Sequence, residues 1–229
     1  IYISKKKLFK FSLSDFVKLE IMPFIRNAVP SVIQQSIPAI STTFLTALVS
    51  SYGISAIAGY GVTGKLETIL FYPAMALNMV LTSIVGQCVG GKRIDRAKDY
   101  LKLSLKYGSI TLIILSLIII VFSKQLAGLF VESENVAVIV NQYFMIVSIG
   151  YILYTITSCC LGTLNGIGKP TRSMILMIFY YIVIRIPLAY IFASLGSDLI
   201  GIWLAILISH IIACVASIIC VIGSMKIKK

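Results

Sequence analysis

An all-α integral membrane fold, a bundle of six transmembrane helices, is what this sequence predicts, and three observations predict it. Six apolar runs are long enough to cross a bilayer, whose hydrocarbon core takes roughly 20 residues of helix. Charged residues make up only 12% of the chain and hydrophobic residues 59%, whereas a soluble domain carries about 25% charged residues. The basic residues gather in alternate gaps between the apolar runs. A soluble globular protein is excluded.

Residues 1–29 carry Lys5, Lys6, Lys7, Lys10, Lys18 and Arg26 among scattered Phe, Leu and Ile. This reads as a cytoplasmic linker with a short amphipathic piece at the membrane surface. A transmembrane lobe follows over 30–225. Its first span covers about 30–51, where Pro30 suits a first helical turn and Pro38 predicts a kink or a break. Glycines at 59, 61 and 64 mark 52–65 as an outer turn. The second span, about 66–90, runs into the basic, amphipathic segment 92–106. The third, about 105–122, is dense in Ile and Leu, and a loop with Lys124, Glu132 and Glu134 follows it. The fourth, about 136–164, is long and polar for a membrane helix, with Asn141, Gln142, Tyr143, Tyr151 and Tyr154. A tight basic turn leads to the fifth span, about 173–195, which contains Arg185 and Pro187. The sixth covers about 199–223, and 226–229 forms a short tail.

The basic residues orient these spans. With the linker inside, the inner segments hold seventeen: six before the first span, six over 92–106, Lys169 and Arg172, and Lys226, Lys228 and Lys229. The outer segments hold two, Lys65 and Lys124, and Arg185 lies within a span. Positive loops stay in the cytoplasm. The expectation is a multi-pass protein of the plasma (inner) membrane with both ends cytoplasmic. The net charge of +12 therefore reflects topology, not nucleic acid. No stripe of Arg and Lys interleaved with aromatics marks a nucleic-acid face.

Catalytic chemistry finds no support. The five cysteines lie in apolar runs without a CxxC pair, and His210 is the one histidine, so a metal or haem centre lacks ligands. Phosphate loops, nucleophile elbows and metalloprotease motifs are missing. A six-span membrane enzyme would need convergent His, Asp or Ser groups at one depth, and only His210 is there.

Polar groups inside the spans are the remaining candidates, because each needs a partner in lipid. Arg185 either lines a solute path or satisfies carbonyls freed by Pro187. Gln34, Gln35, Asn78, Gln87 and Asn141 either join helices or touch solute. Tyr154, Tyr180 and Tyr181 either pack or stack on a cation. The substrate-path candidates are Gln34, Asn78, Tyr154, Tyr181 and Arg185. Carboxylates are expected only near outer ends, at Glu67, Glu132, Glu134 and Asp198, which would leave this lobe without a buried acid for ion coupling.

Several motifs in order carry a resemblance. They are Pro30, Ala58-Gly59-Tyr60-Gly61-Val62, Pro73-Ala74-Met75-Ala76-Leu77, Gly86-Gln87-Cys88-Val89-Gly90-Gly91 and Arg96-Ala97. Downstream come Gly162-Thr163-Leu164-Asn165-Gly166-Ile167-Gly168-Lys169-Pro170-Thr171, Arg185-Ile186-Pro187-Leu188-Ala189-Tyr190 and Gly201-Ile202-Trp203-Leu204-Ala205. Together they resemble the carboxy-terminal lobe of multidrug and toxic compound extrusion (MATE) transporters, from about residue 28 to 223.

The resemblance implies one lobe of a twelve-helix transporter, two six-helix lobes being related by an axis along the membrane normal. It implies a secondary active exporter (antiporter) of amphipathic, cationic small molecules that alternates access under a sodium or proton gradient. The partners would be small organic substrates, membrane lipids and the missing amino-terminal lobe, with residues 1–29 as the bridge. The start at Ile1, without a methionine, fits a fragment. The same resemblance leaves a lipid-linked oligosaccharide flippase of the related branch as the alternative. Three positions depart from the family pattern: Pro38 where many members carry a glutamate, Tyr154 where some carry an aspartate, and Asn165 with Lys169 in the turn usually written Arg-Gly-x-Gly-Asp. With no cofactor implied, the coupling ion is expected in the missing lobe.

Overall fold

The computed structural model describes residues 21–226, and its regular elements are all helical. They are α1 (Ile21–Ser50), α2 (Ile54–Gly90), α3 (Ile94–Gly128), α4 (Glu134–Gly166), α5 (Pro170–Ile178), a π-helical segment (Phe179–Arg185), α6 (Ile186–Ser194) and α7 (Leu199–Lys226). The α5, π and α6 pieces form one continuous crossing, which makes six helices apolar and long enough to span a membrane. The predicted linker over 1–20 and the last tail residues, 227–229, lie outside the described residues. Residues 21–29 belong to α1.

Two local expectations are corrected. The outer turn shrinks from 52–65 to the three residues between α1 and α2, because the glycines at 59, 61 and 64 lie within a helix. In a bilayer a helix satisfies its own backbone, so glycine there serves close packing instead of ending the element. Gly59 shows this: a Cβ at that position would lie 2.7 Å from Ile139 Cγ2 on α4. Pro38 likewise does not break α1, which runs unbroken through Pro30 and Pro38. The irregular turn lies in the fifth crossing. Pro187 has no N–H to give the preceding turn, and the helix just before it widens to i→i+5 spacing.

Helix α4 is the central element, packed against α2, α3 and α7. Its buried face runs its whole length and carries Tyr143, Phe144, Val147, Tyr151, Cys159 and Leu164. The seam with α2 is close enough for side chains to reach backbone. Asn78 Nδ2 donates to the Ser158 carbonyl at 2.8 Å, Ser158 Oγ to the Ala74 carbonyl at 3.0 Å, and Thr82 Oγ1 to the Gly162 carbonyl at 3.2 Å. Gly162 makes the approach possible, since a Cβ there would sit 2.9 Å from Asn78 Cα. Replacing it by valine overpacks the seam against a backbone that cannot step aside. We expect Gly162→Val to cost about 1–3 kcal/mol or more, read as a lower unfolding temperature of the complete protein in detergent. An unchanged temperature would contradict this packing.

Exposed apolar side chains such as Ile114, Leu117 and Val121 on α3, or Ile219 on α7, clothe the outside. That is the surface a lipid-facing bundle presents.

Candidate functional site

Glu67 overturns the expectation that no carboxylate lies deep in a span. Its depth follows from the helix register. Gly108 of α3 packs on Leu77 of α2, a Cβ there falling 2.6 Å from Leu77 Cδ1. That contact sets the antiparallel pair level and places Lys106, the last lysine before the apolar part of α3, beside the region of Asn78. One boundary of the hydrocarbon core is therefore near Asn78. About 20 residues of α2 cross the core from there, and Glu67 falls near the middle of that distance. The sequence reading failed because it began the span at Leu66, which put Glu67 at a helix end.

Two tyrosines of α4 hold this carboxylate. Tyr143 donates to Glu67 Oε1 at 2.5 Å and Tyr151 donates to the same oxygen at 2.8 Å. Their spacing of eight places both hydroxyls on one helix face. Among the described residues Oε2 has no hydrogen-bond partner, and the side chain as a whole is only part-buried. Around the hydroxyls stand aromatic rings. Trp203 meets Tyr143 edge-on at 4.8 Å and stacks on Tyr60 at 5.7 Å, while Phe71 meets Tyr151 at 5.8 Å. One oxygen is fixed and the other is left accessible. Such a group is held in place without being neutralised.

Three of the five sequence candidates come together further along the bundle, about three turns of α2 from Glu67. Gln34, Asn78 and Tyr154 line one small cleft between α1, α2 and α4, with Ser158, Met79 and Met177. Asn78 serves two purposes here, since its amide also bridges to α4. Gln34 is buried and accepts a long bond from Asn165 Nδ2 at 3.5 Å. Tyr154 connects the cleft to both neighbouring clusters. Its ring lies 4.7 Å from Phe71 and 6.0 Å, edge-on, from His210.

The other two candidates, Tyr181 and Arg185, lie in the third cluster. The wide π turn brings residues five apart into line, so the Arg185 guanidinium sits 4.6 Å from the Tyr180 ring centre and 4.5 Å from that of Tyr181. Arg185 Nε donates to Ser209 Oγ at 3.0 Å, and an Nη donates to the Tyr180 hydroxyl and to His210 Nε2. A guanidinium only donates, so His210 Nε2 accepts and the imidazole is neutral. Its Nδ1 lies 2.7 Å from the Tyr180 hydroxyl. Pro187 leaves carbonyls free nearby, yet the partners found for Arg185 are side chains. Ser41 of α1 instead serves a carbonyl of the π segment, that of Tyr181, at 3.1 Å.

The three clusters are contiguous. Glu67, Tyr151, Phe71, Tyr154, His210, Tyr180 and Arg185 touch in succession across α2, α4, α7 and the fifth crossing. Among the described residues Glu67 and Arg185 are the acid and the always-charged base deepest in the spans. The pair of tyrosines was visible in the sequence as two hydroxyls on one face of a polar span, a pattern that calls for a shared partner.

Comparison with known proteins matches this geometry to a family. The MatE family model matches residues 30–191. A probable multidrug resistance protein NorM of Pasteurella multocida is 26% identical over 154 residues, 64% of this chain and 33% of that protein. An FAD transporter of Shewanella oneidensis is 28% identical over 138 residues, 60% of this chain and 30% of that protein. The crystal structure of the Vibrio cholerae MATE transporter VcmN in the bent form superposes with a TM-score of 0.88 at 19% identity, covering 98% of this chain and 51% of that one. The match thus spans about a third of the relatives' length, and the chain about half of the solved transporter. These relatives are transporters, not enzymes, and they favour the exporter reading over the flippase.

Proposed function

Because this chain belongs to the MatE family, we propose that it forms the carboxy-terminal half of a secondary active exporter of cationic, amphipathic small molecules. The missing amino-terminal lobe completes it, both ends of this lobe face the cytoplasm of the plasma (inner) membrane, and the two lobes alternate access. The observation that carries the proposal is Glu67, a mid-span carboxylate fixed by two tyrosine hydroxyls and linked through aromatic rings to an open cleft. On this reading the lobe holds its own exchangeable ion, a proton, whatever the amino-terminal lobe also holds.

Charge balance supplies the mechanism. With Glu67 ionised and Arg185 charged, the interior of the lobe is neutral. Adding a proton to Glu67 raises it by one charge, and so does placing a cationic substrate against this face of the lobe, between the two lobes, with Glu67 ionised. Doing both leaves two uncompensated charges in a low-dielectric interior, which is strongly disfavoured. Proton and cation therefore replace each other, and exchange at each face of the membrane gives antiport. Rings of Tyr154 and Phe71 offer faces for a flat cation, whereas that of Tyr181 already holds Arg185. Among the described residues Glu67 and the two tyrosine hydroxyls bring four oxygens together, enough for a proton and few for a dehydrated sodium ion.

The test is ethidium efflux from vesicles containing the complete protein, with pH and sodium gradients imposed separately. Efflux should follow the pH gradient. Efflux that follows sodium alone, or transport of a flavin dinucleotide in preference to cations, would overturn this assignment. Tyr143→Phe and Tyr151→Phe should each weaken pH-driven efflux without abolishing it, since one hydroxyl still holds Oε1.

A further inference from the structure

A second site stands apart from this chain of residues, at the basic end of the bundle. Helices α3 and α7 both pack on α4 and little on each other. Their separation leaves a lateral groove of about 650 Å³ on the basic, head-group side of the core boundary placed near Lys106. Its floor is apolar: Leu101 and Val221 are buried, Leu105 and Met225 are half-buried, and Ile222 completes the wall. Its rim is basic, with Lys92, Lys98 and Lys102, all exposed. One acid, Asp95, lies there too and pairs with Lys98 at 3.7 Å. Lys92 and Lys102 have no ion-pair partner among the described residues.

The shape and the chemistry together define an occupant. Unpaired lysines above an apolar floor match a molecule with an anionic head and a hydrocarbon tail. A free phosphate would use the rim and leave the floor wet, at a cost in apolar exposure. Below the groove both helices continue as lipid-facing surface, through Ile110 on α3 and Ile218 and Val215 on α7. An acyl chain seated on Leu105 and Val221 would extend along that surface without a step. Basic pockets between transmembrane helices bind phospholipid head groups by this arrangement of charge over a hydrophobic slot.

We propose that the α3–α7 groove is a binding site for an anionic phospholipid. The phosphate lies among Lys92, Lys98 and Lys102, and the head-group ends of the acyl chains cross Leu101, Leu105, Val221, Ile222 and Met225 before running down the lipid-facing surface below. Bound lipid fills the gap between two helices that α4 alone holds together on this side. The proposal is independent of substrate and coupling ion, because neither Glu67 nor the cleft takes part in it.

Native mass spectrometry of the complete protein, incubated with cardiolipin, phosphatidylcholine or inorganic phosphate, tests it. Cardiolipin should stay bound where phosphatidylcholine does not, and excess phosphate should not displace it. The combined variant Lys92→Gln, Lys98→Gln, Lys102→Gln should bind cardiolipin on the order of 100-fold more weakly, the usual attraction per basic residue taken three times. Leu105→Trp, which fills the slot and keeps every lysine, should also lose the lipid. Arg96→Gln, which lies outside the groove, should keep it. Equal retention of phosphatidylcholine, displacement by phosphate alone, or undiminished cardiolipin in either groove variant would overturn the site. Since the lysines are exposed, folding should survive their replacement, and the single variant Lys102→Gln gives a graded readout if the triple variant is poorly expressed.

Discussion

Glu67→Gln is expected to reduce pH-driven efflux to the level of protein-free vesicles while leaving the protein folded. Glutamine has the size of glutamate and its carbonyl can still accept a tyrosine hydroxyl, so Tyr143 and Tyr151 keep a partner. What it lacks is the ability to take up and release a proton. A lobe that cannot change charge cannot use the proton gradient, whereas the residues lining the cleft, Gln34, Asn78 and Tyr154, are untouched by the substitution. Binding of ethidium, followed by its fluorescence, should therefore survive when efflux does not. Glu67→Asp should fall between the two, because the shorter chain cannot reach both hydroxyls at once. Efflux by Glu67→Gln at the wild-type rate would remove Glu67 from the mechanism.

Arg185→Ala should be the most damaging substitution in the third cluster. It removes the donor shared by Ser209, the Tyr180 hydroxyl and His210 Nε2, and it empties the space between two tyrosine rings. Tyr180 keeps His210 Nδ1 and Ser209 keeps the Ile206 carbonyl, so His210 Nε2 is the group left unpaired, at about 1–3 kcal/mol, and the cavity between the rings adds to that. His210→Ala is milder, since Tyr180 keeps its bond from Arg185 and the Ser209 contact stands. The expected order, in both unfolding temperature and efflux, is wild type, then His210→Ala, then Arg185→Ala. Arg185→Lys should resemble alanine more than arginine, because an ammonium cannot reach three partners in a planar fork. Equal, unimpaired transport by Arg185→Ala and His210→Ala would contradict this account of the cluster.

Much of the architecture was legible in the residues because lipid imposes simple rules. Apolar length gave the six crossings, and the family resemblance gave the lobe. Individual positions fared according to how local their signals were. Gly59, Gly61 and Gly64 read as a turn by the habits of soluble proteins, but all three lie within α2, and Gly59 packs on Ile139, eighty residues away. Mistaking that helix start concealed Glu67, since a carboxylate at a span's end needs no partner and one at its middle does. Pro38 and Pro187 look alike in sequence. Only the packed structure distinguishes them: α1 runs on unbroken through Pro38, while Pro187 follows a widened turn that brings Arg185 over Tyr180. The convergence of Gln34, Asn78 and Tyr154 on one cleft joins three helices, and no periodicity within one helix could reveal it.

The central claim is that a cation and a proton replace each other on this lobe, and it can be measured without a membrane gradient. Ethidium is added to the complete protein in weakly buffered detergent solution, and released protons are followed with a pH indicator. Wild type should release protons as ethidium binds, and Glu67→Gln should release markedly fewer at the same ethidium occupancy. Equal proton release from the two proteins at equal occupancy would place the exchange elsewhere and contradict the assignment of Glu67.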